Sequence, residues 1–119
     1  MWKVIFYTDD SLKSPLAGFI ESLPDKQAAK VLREISLFEK VGINSVYPQT
    51  SKIIGNDYKG LRELRIRFSK NSIRIIYFLH IEGTFVLLHG FKKKTSKISK
   101  RELEIAKNRM KEYINRGSQ

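Results

Sequence analysis

The sequence predicts an α+β domain: an antiparallel β-sheet with an N-terminal helical hairpin and a C-terminal helix, in the order βααβββα. Three observations predict it. Segments in the first forty residues carry apolar side chains at helical spacing, three segments after residue 60 carry them at strand spacing, and the last twenty residues return to helical spacing. Helical and strand segments also come in runs rather than in strict alternation. That favours an antiparallel meander with helices packed on one face over a parallel sheet.

Trp2 to Tyr7 reads as an opening strand with Lys3 as its single charge. Asp9, Asp10 and Ser11 are N-cap candidates for a short helix running to about Ser22. Pro24 suits the first turn of the next helix, where its missing N–H costs nothing. That helix carries Ala28, Val31, Leu32, Ile35, Phe38 and Val41 at intervals of three or four and stops at Gly42. Residues 42–60 read as irregular, broken by Pro48, Gly55 and Gly60.

Three strands follow. In Leu61–Phe68, Leu64, Ile66 and Phe68 share one face and Glu63, Arg65 and Arg67 the other. Ile73–His80 is nearly all apolar, as expected of a central strand buried on both sides, and Thr84–Phe91 is similar. Ser69-Lys70-Asn71 and Glu82-Gly83 provide the turns. Ser99, with Glu102 three residues on, forms a capping box for a last helix whose apolar face is Leu103, Ala106, Met110 and Tyr113 and whose end is Gly117.

At 119 residues the chain is long enough for one domain, expected over residues 1–119. It has no cysteine, which excludes disulfides, thiolate metal sites and a cysteine nucleophile. Its two histidines do not stand at metal-binding spacing, so neither metal nor cofactor is expected. With no apolar run of membrane-spanning length and no secretory pattern at the N-terminus, no membrane association is expected and the expected compartment is the cytoplasm.

Net charge is +11, and its placement carries more information than its size. The balance is zero over residues 1–51, +5 over 52–74, −1 over 75–91 and +7 from 92 onward. Positive charge confined to one half of a chain suits a polyphosphate partner, because each neutralised phosphate releases counterions. A solvated face with a basic tail is the plainer reading of the same pattern.

Within that half, Arg65 and Arg67 stand side by side on the polar face of their strand, while Arg74 interrupts an otherwise apolar one. A cation there is costly unless it is paired or reaches a site. Either Arg74 pairs with Glu63 or Glu82, or it converges with Arg65 and Arg67 on a phosphate. Residues 87–95, LLHGFKKKT, add His89 at a strand end, Gly90 for close backbone approach, and Lys92, Lys93 and Lys94. His89 is either a satisfied core residue or an acid–base group. Such a set fits RNA cleavage without metal, because RNA carries its own nucleophile in the 2′-hydroxyl and needs in-line alignment and cationic stabilisation of the phosphorane. Among these side chains only histidine titrates near neutrality by default, so His89 is the expected general acid or base.

With these residues in hand, the chain resembles the RelE/HigB toxin superfamily, especially its phage-derived HigB-like branch. The matching segments are LRELRIRF (61–68), SIRIIYF (72–78) and LLHGFKKKT (87–95), followed by a helix with Ala106 near its centre, and the likeness covers nearly the whole chain. The resemblance implies the toxin of a type II toxin–antitoxin system, a ribosome-dependent endoribonuclease that cuts messenger RNA in the A site without metal. It carries catalytic roles onto Arg65, Arg67, Arg74, Lys92 and Lys93, with His89 in place of the C-terminal tyrosine that some relatives use. Here that region reads Lys97-Ile98-Ser99. Arg62, Lys70, Lys94 and Lys97 are the expected contacts to the RNA backbone. The implied partners are mRNA, the ribosome and a cognate helix-turn-helix antitoxin of HigA type, with DNA bound only through that antitoxin. Two other readings share these residues: a ParE-like toxin that poisons gyrase, and a nucleic-acid-binding module without catalysis. The second would need exposed aromatics among its cations for base stacking, whereas here the aromatics fall at core parity.

Overall fold

The structure is a computed structural model that describes residues 2–42, 50–69, 71–81, 83–94 and 97–117. Its elements are β1 (Lys3–Phe6), α1 (Pro15–Glu21), α2 (Asp25–Val41), β2 (Thr50–Lys52), a single 3-10 turn at Asn56–Tyr58, β3 (Leu61–Arg67), β4 (Ser72–Ile81), β5 (Thr84–Lys93) and α3 (Lys100–Gly117). The sheet runs β1-β5-β4-β3-β2. The expected α+β class holds, with two corrections. A short strand, β2, adds to the order βααβββα, and the sheet is mixed, because β1 lies parallel to β5 while the remaining pairs are antiparallel. β2 escapes a pattern search because Thr50-Ser51-Lys52 has no apolar alternation; it is an edge strand held by its ladder to β3. β1 is parallel because it reaches β5 across the sheet and not through a hairpin turn.

Helices cover both faces, not one. Leu16, Ile20 and Leu23 at the first helix and Val31, Ile35 and Phe38 of α2 pack on Leu64, Ile66, Ile73, Ile75, Tyr77, Phe85 and Leu87. On the other side, Ala106, Leu103, Met110 and Tyr113 of α3 pack on Leu61, Ile76, Phe78, Val86, Leu88 and Phe91. Strands apolar on both sides need cover on both sides. The first core centres on aromatic rings: Phe38 lies 4.9 Å from Tyr77 and 4.7 Å from Phe85, centroid to centroid. Truncating such a buried ring to alanine costs about 3–5 kcal/mol. Leu32, assigned to the apolar stripe of α2 from its spacing, is instead half exposed.

The first helix starts later than expected. Asp9 Oδ1 accepts hydrogen bonds from the backbone N–H of Ser11 and Lys13, and Leu12 takes φ 64°, so Asp9 caps a turn. Ser14 is the true N-cap, its Oγ accepting from Ala17 N at 3.1 Å, with Pro15 opening the helix. At the end of α2, Gly42 takes φ 59°, and a Cβ there would run into the indole of Trp2. Among the described residues, no helix is long and apolar enough to cross a membrane.

One irregularity in β5 decides which side chains reach the polar surface. Ile76 pairs with His89 but the next residue, Tyr77, pairs with Leu87, so two residues of β5, Leu88 and His89, oppose one of β4. A β-bulge of this kind reverses the alternation beyond it. Phe85 and Leu87 face the helical hairpin before the bulge, whereas Gly90 does so after it. Gly90 is needed there: a Cβ would come within 2.6 Å of Leu16 and 3.0 Å of Phe19.

Candidate nucleic-acid interface

Beyond the N-terminal end of α3, the sheet face that α3 covers becomes polar. Strand register fixes its layout. Arg65 of β3 pairs with Arg74 of β4, which pairs with Phe91 of β5. The next row outward is Arg67, Ser72 and Lys93, and the next row inward is Ser51, Glu63, Ile76 and His89. Neighbouring strands lie about 4.8 Å apart, so side chains in adjacent rows and strands meet. Arg65, Arg67, Arg74 and Lys93 therefore share one patch of that face.

The patch is organised around an acid. Glu63 is buried, and its Oε1 accepts from Arg74 Nη1 at 2.9 Å and from Ser51 Oγ at 3.4 Å, with Arg65 Nε at 3.8 Å. Arg74 Nε also donates to Ser72 Oγ at 3.2 Å. Its side chain is 12% exposed and that of Glu63 10%. The salt bridge weighed from the sequence is thus present, with Glu63 as partner, and it sits inside the cationic cluster and does not replace it; Glu82 lies outside the described residues. Burial pushes the Arg74 guanidinium below the usual arginine range, opposed by Glu63. It remains a cation, since arginine does not deprotonate in proteins. Burial also pulls the Lys93 ammonium down, and the charges of Arg74 and Arg65 pull the same way, against Glu63.

Three expected residues do not join the patch. Lys92 pairs with Ile73 on the alternate parity and is exposed towards the hairpin side. The bulge is the cause: it sends Lys93, and not Lys92, to the face of Arg74. Arg62 likewise alternates away, and its Nε donates to the hydroxyl of Tyr77 at 3.2 Å. Lys70 lies outside the described residues. His89, on the right face, is turned inward to α3. Its ring stacks on Phe91, Nε2 stands 3.2 Å from Glu102 Oε1, and Nδ1 stands 3.2 Å from Arg109 Nη1. Arginine has no acceptor, so Nδ1 must accept and the Nε2–H donates to Glu102. Burial lowers the ring's pKa further, which keeps this neutral form. With both nitrogens occupied inside the protein, His89 ties β5 to α3 and has no lone pair to offer a substrate.

Lys94 and Lys97 stand beside the patch, lining with Lys92, Lys93, Ser99, Arg101 and Glu102 a hollow of about 280 Å³, so Lys92 borders this hollow although it lies off the face of Arg74. A larger open depression of about 560 Å³ lies between the segment after β2 and the approach to α3, with Lys52, Lys93 and Lys97 among its lining and Glu63 at its edge with the patch. Sequence reasoning considered Glu63 only as an alternative partner and passed over Ser51, Ser72 and Lys52. The available signal was the parity of Glu63 with Arg65 and Arg67. Among the described residues, no group of three or more acidic or histidine side chains is placed to hold a metal. What the patch offers is fixed positive charge on one side of a buried carboxylate, an arrangement suited to gripping an oxyanion.

Residues 18–111 match the family model described as phage-derived protein Gp49-like (DUF891). No curated protein matches the chain.

Proposed function

The chain belongs to the phage-derived Gp49-like family, a family associated with the toxins of toxin–antitoxin pairs and related to RelE-like toxins, and from that premise we propose that it is an endoribonuclease toxin that cleaves messenger RNA on the ribosome. The observation that carries the reading is the pairing of Arg65 with Arg74 across β3 and β4, with Lys93 near enough for their charges to depress its ammonium. Three cations at one spot bind a phosphate and stabilise the extra negative charge of a phosphorane. Glu63 and Ser72 use two of the five donors of Arg74 and fix the plane of its guanidinium, leaving further donors for a bidentate grip.

The reaction is attack of a ribose 2′-oxygen on the adjoining phosphorus with departure of the 5′-oxygen, which needs a proton removed from the first and delivered to the second. Lys93 is the group we assign to this transfer, because its surroundings lower its pKa towards the range where a lysine exchanges protons. Arg65 and Arg74 hold the phosphate, and Arg67, exposed on the outer row, meets the neighbouring backbone. The ribosome serves as the scaffold that bends the RNA into line. A helix-turn-helix antitoxin of HigA type covers the basic patch or blocks ribosome entry, and DNA binding belongs to that partner.

The test is induced expression of the chain and its Arg74→Ala variant with message ends mapped by primer extension. Growth arrest with cut messages is expected for the first, and relief for the second. Arrest with intact messages and damaged DNA would assign the chain to gyrase poisoning instead.

A further inference from the structure

Beside the phosphate-binding patch lies the depression of about 560 Å³, and its walls differ from the patch in kind. Ile53, Ile54, Ile98 and Leu103 make them apolar, while Lys52, Lys93 and Lys97 supply positive charge and Glu63 joins depression to patch. Ile54 is 94% exposed. The volume falls within the range of small-ligand sites, about 300–1,000 Å³.

We propose that this depression seats one nucleobase of the nucleotide adjoining the phosphate held by Arg65, Arg74 and Lys93. The proposal rests on the reading above and adds to it a subsite for the base. A nucleotide has an apolar ring face tethered within a few bonds of an anion, and the protein surface repeats that order: aliphatic walls tethered through Glu63 and Lys93 to a cationic cluster. The ring is taken by its face, against isoleucine and leucine methyls, so every base can enter. Lys52 and Lys97 neutralise the flanking phosphates, as the chain continues past the seat.

The probe is a dinucleoside monophosphate whose 2′-hydroxyl carries a methyl group, so that it binds but cannot be cut, alongside its counterpart lacking both bases. Methyl and arginine side-chain NMR signals of the intact protein report the two regions separately. The base-bearing probe is expected to shift the methyls of Ile54, Ile98 and Leu103 together with the Nε–H signals of Arg65 and Arg74, whereas the abasic probe shifts only the arginine signals. Replacing Ile54 by Asn, an uncharged change at a solvent-exposed position that leaves the fold in place, should weaken the base-bearing probe several-fold without altering the abasic one. Arginine signals that respond while the methyls stay still, or methyl shifts equal for both probes, would overturn the base seat and leave the phosphate site standing. If neither region responds to either probe, the phosphate-binding reading falls and the base seat falls with it.

Discussion

Arg74 and Glu63 stand diagonally on adjacent strands and meet at 2.9 Å, each nearly closed off from solvent. The pair is asymmetric in its surroundings. Removing Arg74 leaves Glu63 with Arg65 at 3.8 Å and the Ser51 hydroxyl. Removing the Glu63 carboxylate takes from Arg74 its 2.9 Å partner and leaves it beside the charges of Arg65 and Lys93. We therefore expect Glu63→Ala to cost about 3–5 kcal/mol, the range for an uncompensated buried charge, and Arg74→Ala clearly less. Urea denaturation of both variants decides it; equal losses would mean that Glu63 does not hold the cluster together.

The bulge at Leu88 and His89 makes a prediction that adjacent lysines behave differently. Lys93→Ala or Arg74→Ala should lower message cleavage by about 10²-fold or more, the usual effect of deleting one group that stabilises transition-state charge. Lys92→Ala, one residue away and on the other face, should leave cleavage within about threefold of the parent, because only diffuse attraction for RNA is lost. Rates of cut-end formation in a translation extract measure both. A Lys92 variant as damaged as the Lys93 variant would mean that β5 runs unbulged in solution.

How far these features were legible in the chain depends on which force fixes each one. The alternation in Leu61–Phe68, the double-faced apolar run of Ile73–His80 and the helical spacing of Val31, Ile35 and Phe38 are local consequences of burial, so they can be read directly. β2 was hidden because its three polar residues gain their structure from the β3 ladder alone. The position of α3 opposite the hairpin was implied by the apolarity of both faces of β4, an inference open to sequence reasoning. The choice between Lys92 and Lys93 turned on a bulge, for which an interior glycine at Gly90 was the one visible hint. The inward turn of His89 depends on Glu102 and Arg109, which only the packing of α3 brings to it.

Acid should loosen α3. Burial holds the His89 ring below its ordinary value of 6.5, with Glu102 opposing the shift and Arg109 and Arg101 reinforcing it. The unfolded chain therefore takes up this proton first as pH falls. The stability linked to the neutral ring is complete above about pH 6.5 and is lost progressively below it, down to the folded-state value. Thermal melts from about pH 7.5 to 5.5 should show a falling midpoint, with a flatter profile for His89→Gln, which cannot charge. Parallel profiles for the two proteins would place the acid sensitivity elsewhere.

Gly42 and Trp2 offer a test of how β1 is fastened. Gly42 takes a positive φ of 59° and its α-hydrogen faces the Trp2 indole, whose ring lies 5.0 Å from that of Phe85. Alanine there meets two penalties: about 1–3 kcal/mol for a positive-φ backbone (φ 59°, ψ −146°) that is essentially confined to glycine, and displacement of the indole from its seat. Gly83 provides the control, since it has φ 77° but open space where a Cβ would go. Gly83→Ala should show the backbone penalty alone, with unchanged tryptophan emission. Gly42→Ala should lose more stability and shift emission to longer wavelength, and because the chain has one tryptophan the signal belongs to this contact. Equal losses with unmoved emission in both variants would mean that the Trp2 indole does not rest on Gly42.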